Sequence, residues 1–282
     1  MNYRHAYHAG NFADVMKHAL LARILTHLLK KDTPFRVIDT HAGIGLYDLS
    51  GEEAEKTAEW RNGIGRLDAA PLPEAAEALI APYRAAIAAV RARHGATTYP
   101  GSPLLVSAML RRQDRALAIE KHPKDAETLT RVLTYDPRIK AIELDGWTAL
   151  NAMIPPPERR GLVLIDPPFE VPGELERLAD EIARAWKKWS TGIFAGWYPI
   201  KDRRAVDAFA ARLAASGTRK VLRLELMVTD GRDESRLNGS GLVIVNPPWT
   251  LKDEAEILLP ALAERLAQGT RAGFRAEWIA GE

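Results

Sequence analysis

The chain has 282 residues, 46% hydrophobic and 27% charged, with no cysteine and a formal net charge of +2. That length can bury a full core, as one large domain with an insertion or as two domains, while the lack of cysteine excludes disulfides, thiolate metal sites and cysteine nucleophiles. The N-terminus MNYRHAYHAGNFADVMKHALLARIL lacks the basic-then-apolar layout of a signal peptide, and no run approaches the roughly 20 apolar residues of a membrane span, so a cytoplasmic protein is expected.

From Asp14 to about Lys31, Val15, Leu20, Leu21, Ile24, Leu25, Leu28 and Leu29 recur at helical spacing and predict an amphipathic helix. FRVID, residues 35–39, is a short apolar strand that runs into the glycine turn THAGIG, the opening of an α/β unit. Residues from about Gly51 to Tyr99 are alanine-rich helix formers with no strand between them, and read as a helical insertion. YPGSP then turns the chain, with Ser102 expected as N-cap and Pro103 at the first helical position of LLVSAMLRR. Strands follow at ALAIE (116–120), in IKAIELDGW, at GLVLID and in TGIFAGWYP, with helices such as Ala126–Leu133 and LERLADEIARAWKKW between them. This alternation implies a parallel sheet covered on both faces, with ligands at the carboxyl ends of its strands. VLRLELMV and GLVIVN, separated by a loop alone, predict an antiparallel hairpin at one end of the sheet, and LKDEAEILLPALAERL is the expected closing helix.

Four strand ends carry polar residues that make sense together. Gly43 and Gly45 in DTHAGIG allow close approach of a ligand to the backbone, although the third glycine of a full dinucleotide motif is absent and a plain tight turn explains them equally well. Glu120 is suited to accept from both hydroxyls of a ribose, and Asp145, followed by Gly146, from an exocyclic adenine amine. Each acid alone is readily a solvated strand end. The set, with a glycine turn on the first strand, describes an adenosine pocket.

Asp166-Pro167-Pro168-Phe169 meets a chemical need. An adenine N6 lone pair is delocalised into the ring, so the amine is a poor nucleophile until acceptors draw it toward tetrahedral geometry. The Asp166 carboxylate and the rigidly held Pro167 carbonyl can each accept one amine hydrogen, and Phe169 can stack on a base taken out of its helix. Eighty residues on, Asn246-Pro247-Pro248-Trp249 nearly repeats the motif. Its strand is expected to run the opposite way at the sheet edge, so it reads as a strand-to-helix turn facing away from the pocket.

These motifs resemble the class I methyltransferases that use S-adenosylmethionine. YRHAYHAGNFADVMKH at 3–18, DTHAGIGLYDL at 39–49, YPGSP at 99–103 and DPPFE at 166–170 are similar to the bacterial 23S ribosomal RNA adenine-N6 methyltransferase J family across nearly the whole chain. The resemblance implies an α/β, Rossmann-like fold with a seven-stranded, mostly parallel sheet. Residues 1–50 and 100–282 are then the methyltransferase domain and 51–99 a helical insertion. It implies cofactor contact by His18, His41, Ser102, Glu120, Asp145 and Gly146, more weakly by Lys17, and Asp166 as acceptor on the target amine. Tyr3 matches the family's RNA-contacting tyrosine, whereas Phe12 stands where the pattern admits His and takes no role. A metal-free monomer is expected: His5, His8 and His18 lack the patterned acids or cysteines of a metal site.

The expected chemistry is in-line methyl transfer to adenine N6 of 23S ribosomal RNA. The amine becomes strongly acidic as it is methylated, so an ordinary carboxylate suffices to take the proton. Arg84, Arg91, Arg93 and the run Lys201–Arg204 are candidate RNA contacts, each equally explained as a solvated face. The rivals are a methyltransferase of DNA adenine or of a protein glutamine amide, and an RNA-binding module without turnover.

Overall fold

The computed structural model describes residues 4–281, so Tyr3 lies outside the described residues. After a short 3-10 turn at His5–Tyr7, the elements are α1 (Phe12–Leu29), β1 (Arg36–Asp39), β2 (Leu46–Asp48), α2 (Glu52–Thr57), α3 (Ile64–Ala69), α4 (Glu74–His94) and β3 (Thr98–Pro100). There follow α5 (Ser102–Met109), β4 (Arg115–Glu120), α6 (Pro123–Leu133), β5 (Ile139–Glu143), α7 (Gly146–Ala152), β6 (Gly161–Ile165), α8 (Glu174–Lys188) and β7 (Ile193–Ile200). The chain ends with α9 (Arg203–Ala215), β8 (Val221–Met227), β9 (Gly239–Val245), α10 (Leu251–Leu266) and β10 (Gly273–Ala280).

The main sheet has eight strands in the order β10-β8-β9-β7-β6-β1-β4-β5. From β5 to β7 all neighbours are parallel, and β9, β8 and β10 join antiparallel. The count exceeds the expected seven because the chain continues past α10 into β10. In GFRAEWIA the larger apolar side chains Phe274 and Trp278 are both exposed, at 43% and 46%, so no buried apolar face marks the strand. The β8–β9 pair is antiparallel as expected, but β9 lies inside the sheet between β7 and β8 rather than at its edge.

Alternation along the central strands sends Val37, Leu162 and Leu164 to one apolar layer with α1, α4 and α10, and Ile38, Val163 and Ile165 to another under α7, α8 and α9. The helix α1 is capped by Asn11, whose side chain accepts from the N–H groups of Ala13 and Asp14 at 2.9 and 3.0 Å. It is not amphipathic as expected. Packed among α4, α5, α10 and β9, it is buried on nearly every side, and so carries Asp14, Lys17 and His18 into the interior. The helices α2, α3 and α4 lie within residues 52–94, but the strand-free reading of 51–99 is corrected at its end, where β3 begins at Thr98 and the small β2–β3 ladder pairs Tyr47 with Tyr99. Among the described residues no helix is long and apolar enough to cross a membrane.

Candidate active site

The pairings of Asp39 with Ala118 and Leu164, of Glu120 with Glu143 and of Ile165 with Gly196 bring the carboxyl ends of β1, β4, β5, β6 and β7 to one edge. A cleft of about 820 Å³ opens there, lined by every predicted site residue among those described: Lys17, His18, His41, Gly43, Ser102, Glu120, Asp145, Gly146, Asp166, Pro167 and Phe169. Asn246 lies at the other end of the sheet, because β9 pairs Val245 with Phe194 near the start of β7. Its side chain donates to the carbonyls of Ser190 and Gly192, both at 2.8 Å, which ties a strand-to-helix turn.

The glycine turn is shaped by its surroundings. Gly43 has φ +61°, and a Cβ there would sit 2.4 Å from the Tyr47 hydroxyl. A Cβ on Gly146 would meet the Thr40 carbonyl at 2.2 Å and His41 Nε2 at 2.7 Å, so only glycine lets α7 start against the β1 loop. Gly43 N–H and His122 N–H donate to the two Glu120 oxygens at 2.9 and 2.8 Å. Burial nevertheless leaves that carboxyl's pKa raised. Asp145 caps α7 by accepting from Thr148 N–H at 3.0 Å and pairs with Lys121 at 3.0 Å. Burial opposes its charge, but these two partners outweigh it and hold its pKa below the usual range.

Ser102 corrects its expected role. The N-cap of α5 is Gly101, and Ser102 instead donates its hydroxyl hydrogen to Asp39 Oδ2 at 2.6 Å. Asp39 is 2% exposed, and burial pushes its carboxyl up to about 7 despite that bond. Its other oxygen accepts from His41 N–H at 3.3 Å. Burial lowers the His41 imidazole to about 4, and the ring stands edge-on to Trp147.

Two residues missed by the sequence reading, Asp14 and Trp197, complete the site. Lys17 Nζ bridges Asp166 Oδ2 at 2.5 Å and Asp14 Oδ1 at 2.9 Å, while Asp14 also accepts from Gly10 N–H and bonds His5 Nε2, each at 2.9 Å. Burial opposes charge on both Lys17 and Asp14. The pairing outweighs it, raising the ammonium's pKa and holding the Asp14 carboxyl well below its usual range. Lys17, expected as a weaker cofactor contact, is thus an ion-pair partner of Asp166, and its other partner, Asp14, was read only as part of a helix start. Trp197 on β7 is the second: its ring lies edge-on to Phe169, centroids 5.6 Å apart, with Lys17 Nζ 5.8 Å from its centre. An aromatic strand residue pointing to a cleft has no local signature.

The predicted RNA contacts divide. Arg84 and Arg91 are drawn into ion pairs with Glu77 and Asp68 at 2.7 and 2.8 Å, and Arg203 pairs with buried Glu225 at 2.6 Å. Arg93, Lys201 and Arg204 are exposed, and Lys201 lines the cleft mouth. His5, His8 and His18 face Asp14, Glu59 and Tyr99 respectively, and among the described residues no group of three or more His, Cys, Asp or Glu side chains is arranged to hold a metal ion.

A family model described as ribosomal RNA large subunit methyltransferase D, RlmJ, matches residues 32–280. The ribosomal RNA large subunit methyltransferases J of Haemophilus influenzae and Escherichia coli are 40% and 38% identical to the chain, each over 100% of both sequences. A crystal structure of a Legionella pneumophila protein superposes with a TM-score of 0.86 at 33% identity, covering 98% of this chain and 99% of that one. With agreement over its full length in sequence and fold, the chain belongs to the RlmJ family of large-subunit ribosomal RNA methyltransferases.

Proposed function

We propose that the protein transfers a methyl group from S-adenosylmethionine to the exocyclic N6 of an adenine in 23S ribosomal RNA, acting in the cytoplasm with residues 51–99 as a helical insertion. The observation that carries this reading is one cleft joining Asp166, held by Lys17, to the aromatic pair Phe169 and Trp197. The family membership supports the ribosomal substrate, since both curated relatives bear large-subunit methyltransferase names.

The cofactor's fit is supported by the residues present. The carboxylates of Glu120 and Asp145 suit ribose hydroxyls and an adenine amine, and Gly43 and Gly146 line the same cleft with no side chain to obstruct it. When bound, S-adenosylmethionine supplies an electrophilic sulfonium methyl. Asp166 and the Pro167 carbonyl then accept the two N6 hydrogens and aim the lone pair, with one Asp166 oxygen engaged by Lys17 and the other left for the amine. Phe169 and Trp197 offer a stacking wall for an extruded base, worth roughly 1–3 kcal/mol per stacked ring. Asp166 takes the proton as the methylated amine becomes acidic. Positioning carries most of the rate.

The test is transfer of labelled methyl to protein-free 23S RNA, duplex DNA and protein fractions, followed by nucleoside analysis. N6-methyladenosine in RNA is expected with wild type and Asn246→Ala, and a loss of most turnover with Asp166→Ala while cofactor still binds. Full activity in Asp166→Ala would sink the assignment, and label confined to DNA or to glutamine would move it to another amine.

A further inference from the structure

His18 is joined to the helical insertion by a buried chain of hydrogen bonds. Tyr83 on α4 and Tyr99 on β3 place their hydroxyl oxygens 2.8 Å apart, and Tyr99 Oη lies 2.8 Å from His18 Nδ1. Both tyrosines are 0% exposed and His18 is 1% exposed. The Tyr99 and His18 rings stack, with centroids 5.7 Å apart.

Three side chains in a row have two ways to arrange their hydrogens. In one, Tyr83 donates to Tyr99, Tyr99 donates to His18 Nδ1, and the imidazole hydrogen sits on Nε2. In the other, His18 Nδ1–H donates to Tyr99 and Tyr99 donates to Tyr83. The Tyr83 hydroxyl then has no acceptor, because among the described residues Tyr99 is its one hydrogen-bond partner. A buried donor without an acceptor disfavours that arrangement roughly 5- to 150-fold.

We propose that Tyr99 is a positioning residue that holds His18 as its Nε2–H tautomer, so that this wall of the cleft donates a hydrogen bond to the carboxylate of the cofactor's amino-acid part. The inference rests on the cofactor reading above. Burial lowers the His18 pKa to about 3, so the ring stays neutral and neither tautomer is lost to protonation near neutral pH. An N–H donor cannot accept from an ammonium, which leaves the carboxylate as the matching end of a zwitterion. Ser102 has the opposite polarity: its hydrogen goes to Asp39, so toward the cleft its oxygen can only accept, as an ammonium requires.

The test has two readouts besides activity. Nitrogen–proton correlation spectra of the ligand-free, labelled protein should show His18 protonated on Nε2 in wild type and a mixture of tautomers in Tyr99→Phe. Tyr83→Phe should keep the Nε2–H form, because Tyr99 still has His18 as acceptor. In parallel, Tyr99→Phe should weaken S-adenosylhomocysteine roughly 10- to 100-fold. It should leave 5′-methylthioadenosine, which lacks the amino-acid part, within about twofold. Tyr83→Phe should change neither ligand by more than about twofold. A wild-type His18 protonated on Nδ1 overturns the inference, as does an equal loss of both ligands in Tyr99→Phe. Wild-type protein that binds neither nucleoside overturns the cofactor reading instead, and the carboxylate assignment with it, whatever the tautomer.

Discussion

Lys17 Nζ lies 2.5 Å from Asp166 Oδ2, joining residues 149 positions apart in a pair whose side chains are 5% and 16% exposed. With Asp14 on its other side, this one cation balances two carboxylates. Lys17→Met should therefore leave an unshielded pair of acids, costing about 3–5 kcal/mol of stability and at least about 100-fold in kcat. Affinity for S-adenosylhomocysteine should hold within about threefold, because the lysine acts on Asp166. Steady-state kinetics, a ligand titration and a thermal melt check this. A large rise in the ligand's Kd with kcat preserved would instead make Lys17 a cofactor contact.

The two proline-proline motifs should separate by what their loss damages. Asn246 adopts φ +51° and donates twice, to Ser190 and Gly192 carbonyls, at the end of the sheet remote from the cleft. Asn246→Ala removes both bonds and sets alanine in a left-handed conformation, so it should cost about 1–3 kcal/mol of stability with kcat unchanged. Asp166→Asn should do the reverse. Denaturant melts beside methyl transfer at saturating substrates distinguish them, and a large fall in kcat for a still-folded Asn246→Ala would mean that its turn reaches the chemistry.

The contrast shows what the chain reveals about itself. His41, Glu120, Asp145 and Asp166 were legible because parallel strands put their ends on one side, so order along the chain stands in for proximity. The same logic sent Asn246 to the far end, since an antiparallel strand reverses it. The partnership of Asp14, Lys17 and His5 was not legible. It depends on α1 being buried on nearly all sides, and the spacing of its leucines suggests one wet face. Ser102 was misread because serine before proline resembles a cap, and nothing local says that buried Asp39 competes for its hydroxyl. β10 escaped because its alternation exposes the aromatic residues.

Arginines already engaged within the chain should not behave as phosphate contacts. Arg84 pairs with Glu77 at 2.7 Å and reaches the Leu67 carbonyl at 3.1 Å, whereas Lys201 is exposed at the cleft mouth. Lys201→Ala should weaken RNA binding and reduce the slope of log affinity against log salt by about 1. Arg84→Ala should lower the melting temperature and leave that slope alone. Fluorescence anisotropy over a salt series decides it, and an equal loss of slope in both variants would bring the insertion into the RNA interface.

Asp39, buried behind the cleft residue Ser102, makes the pH dependence of the ligand-free protein a readout of that buried bond. Burial raises its carboxyl from 3.8 to about 7, so between those values the folded protein holds a proton that the unfolded chain has released. Stability contributed by this group is fully present below about pH 4, falls as pH rises through the window, and is gone above about pH 7, a change of about 4 kcal/mol at most. Asn at this position cannot titrate. The stability of Asp39→Asn relative to wild type should therefore rise between about pH 5 and pH 8, with shifts of other groups cancelling in the difference. Urea melts of both proteins across that range measure it. A difference that stays flat would show that Asp39 remains ionised throughout, and that its bond from Ser102 and the N–H of His41 outweigh its burial.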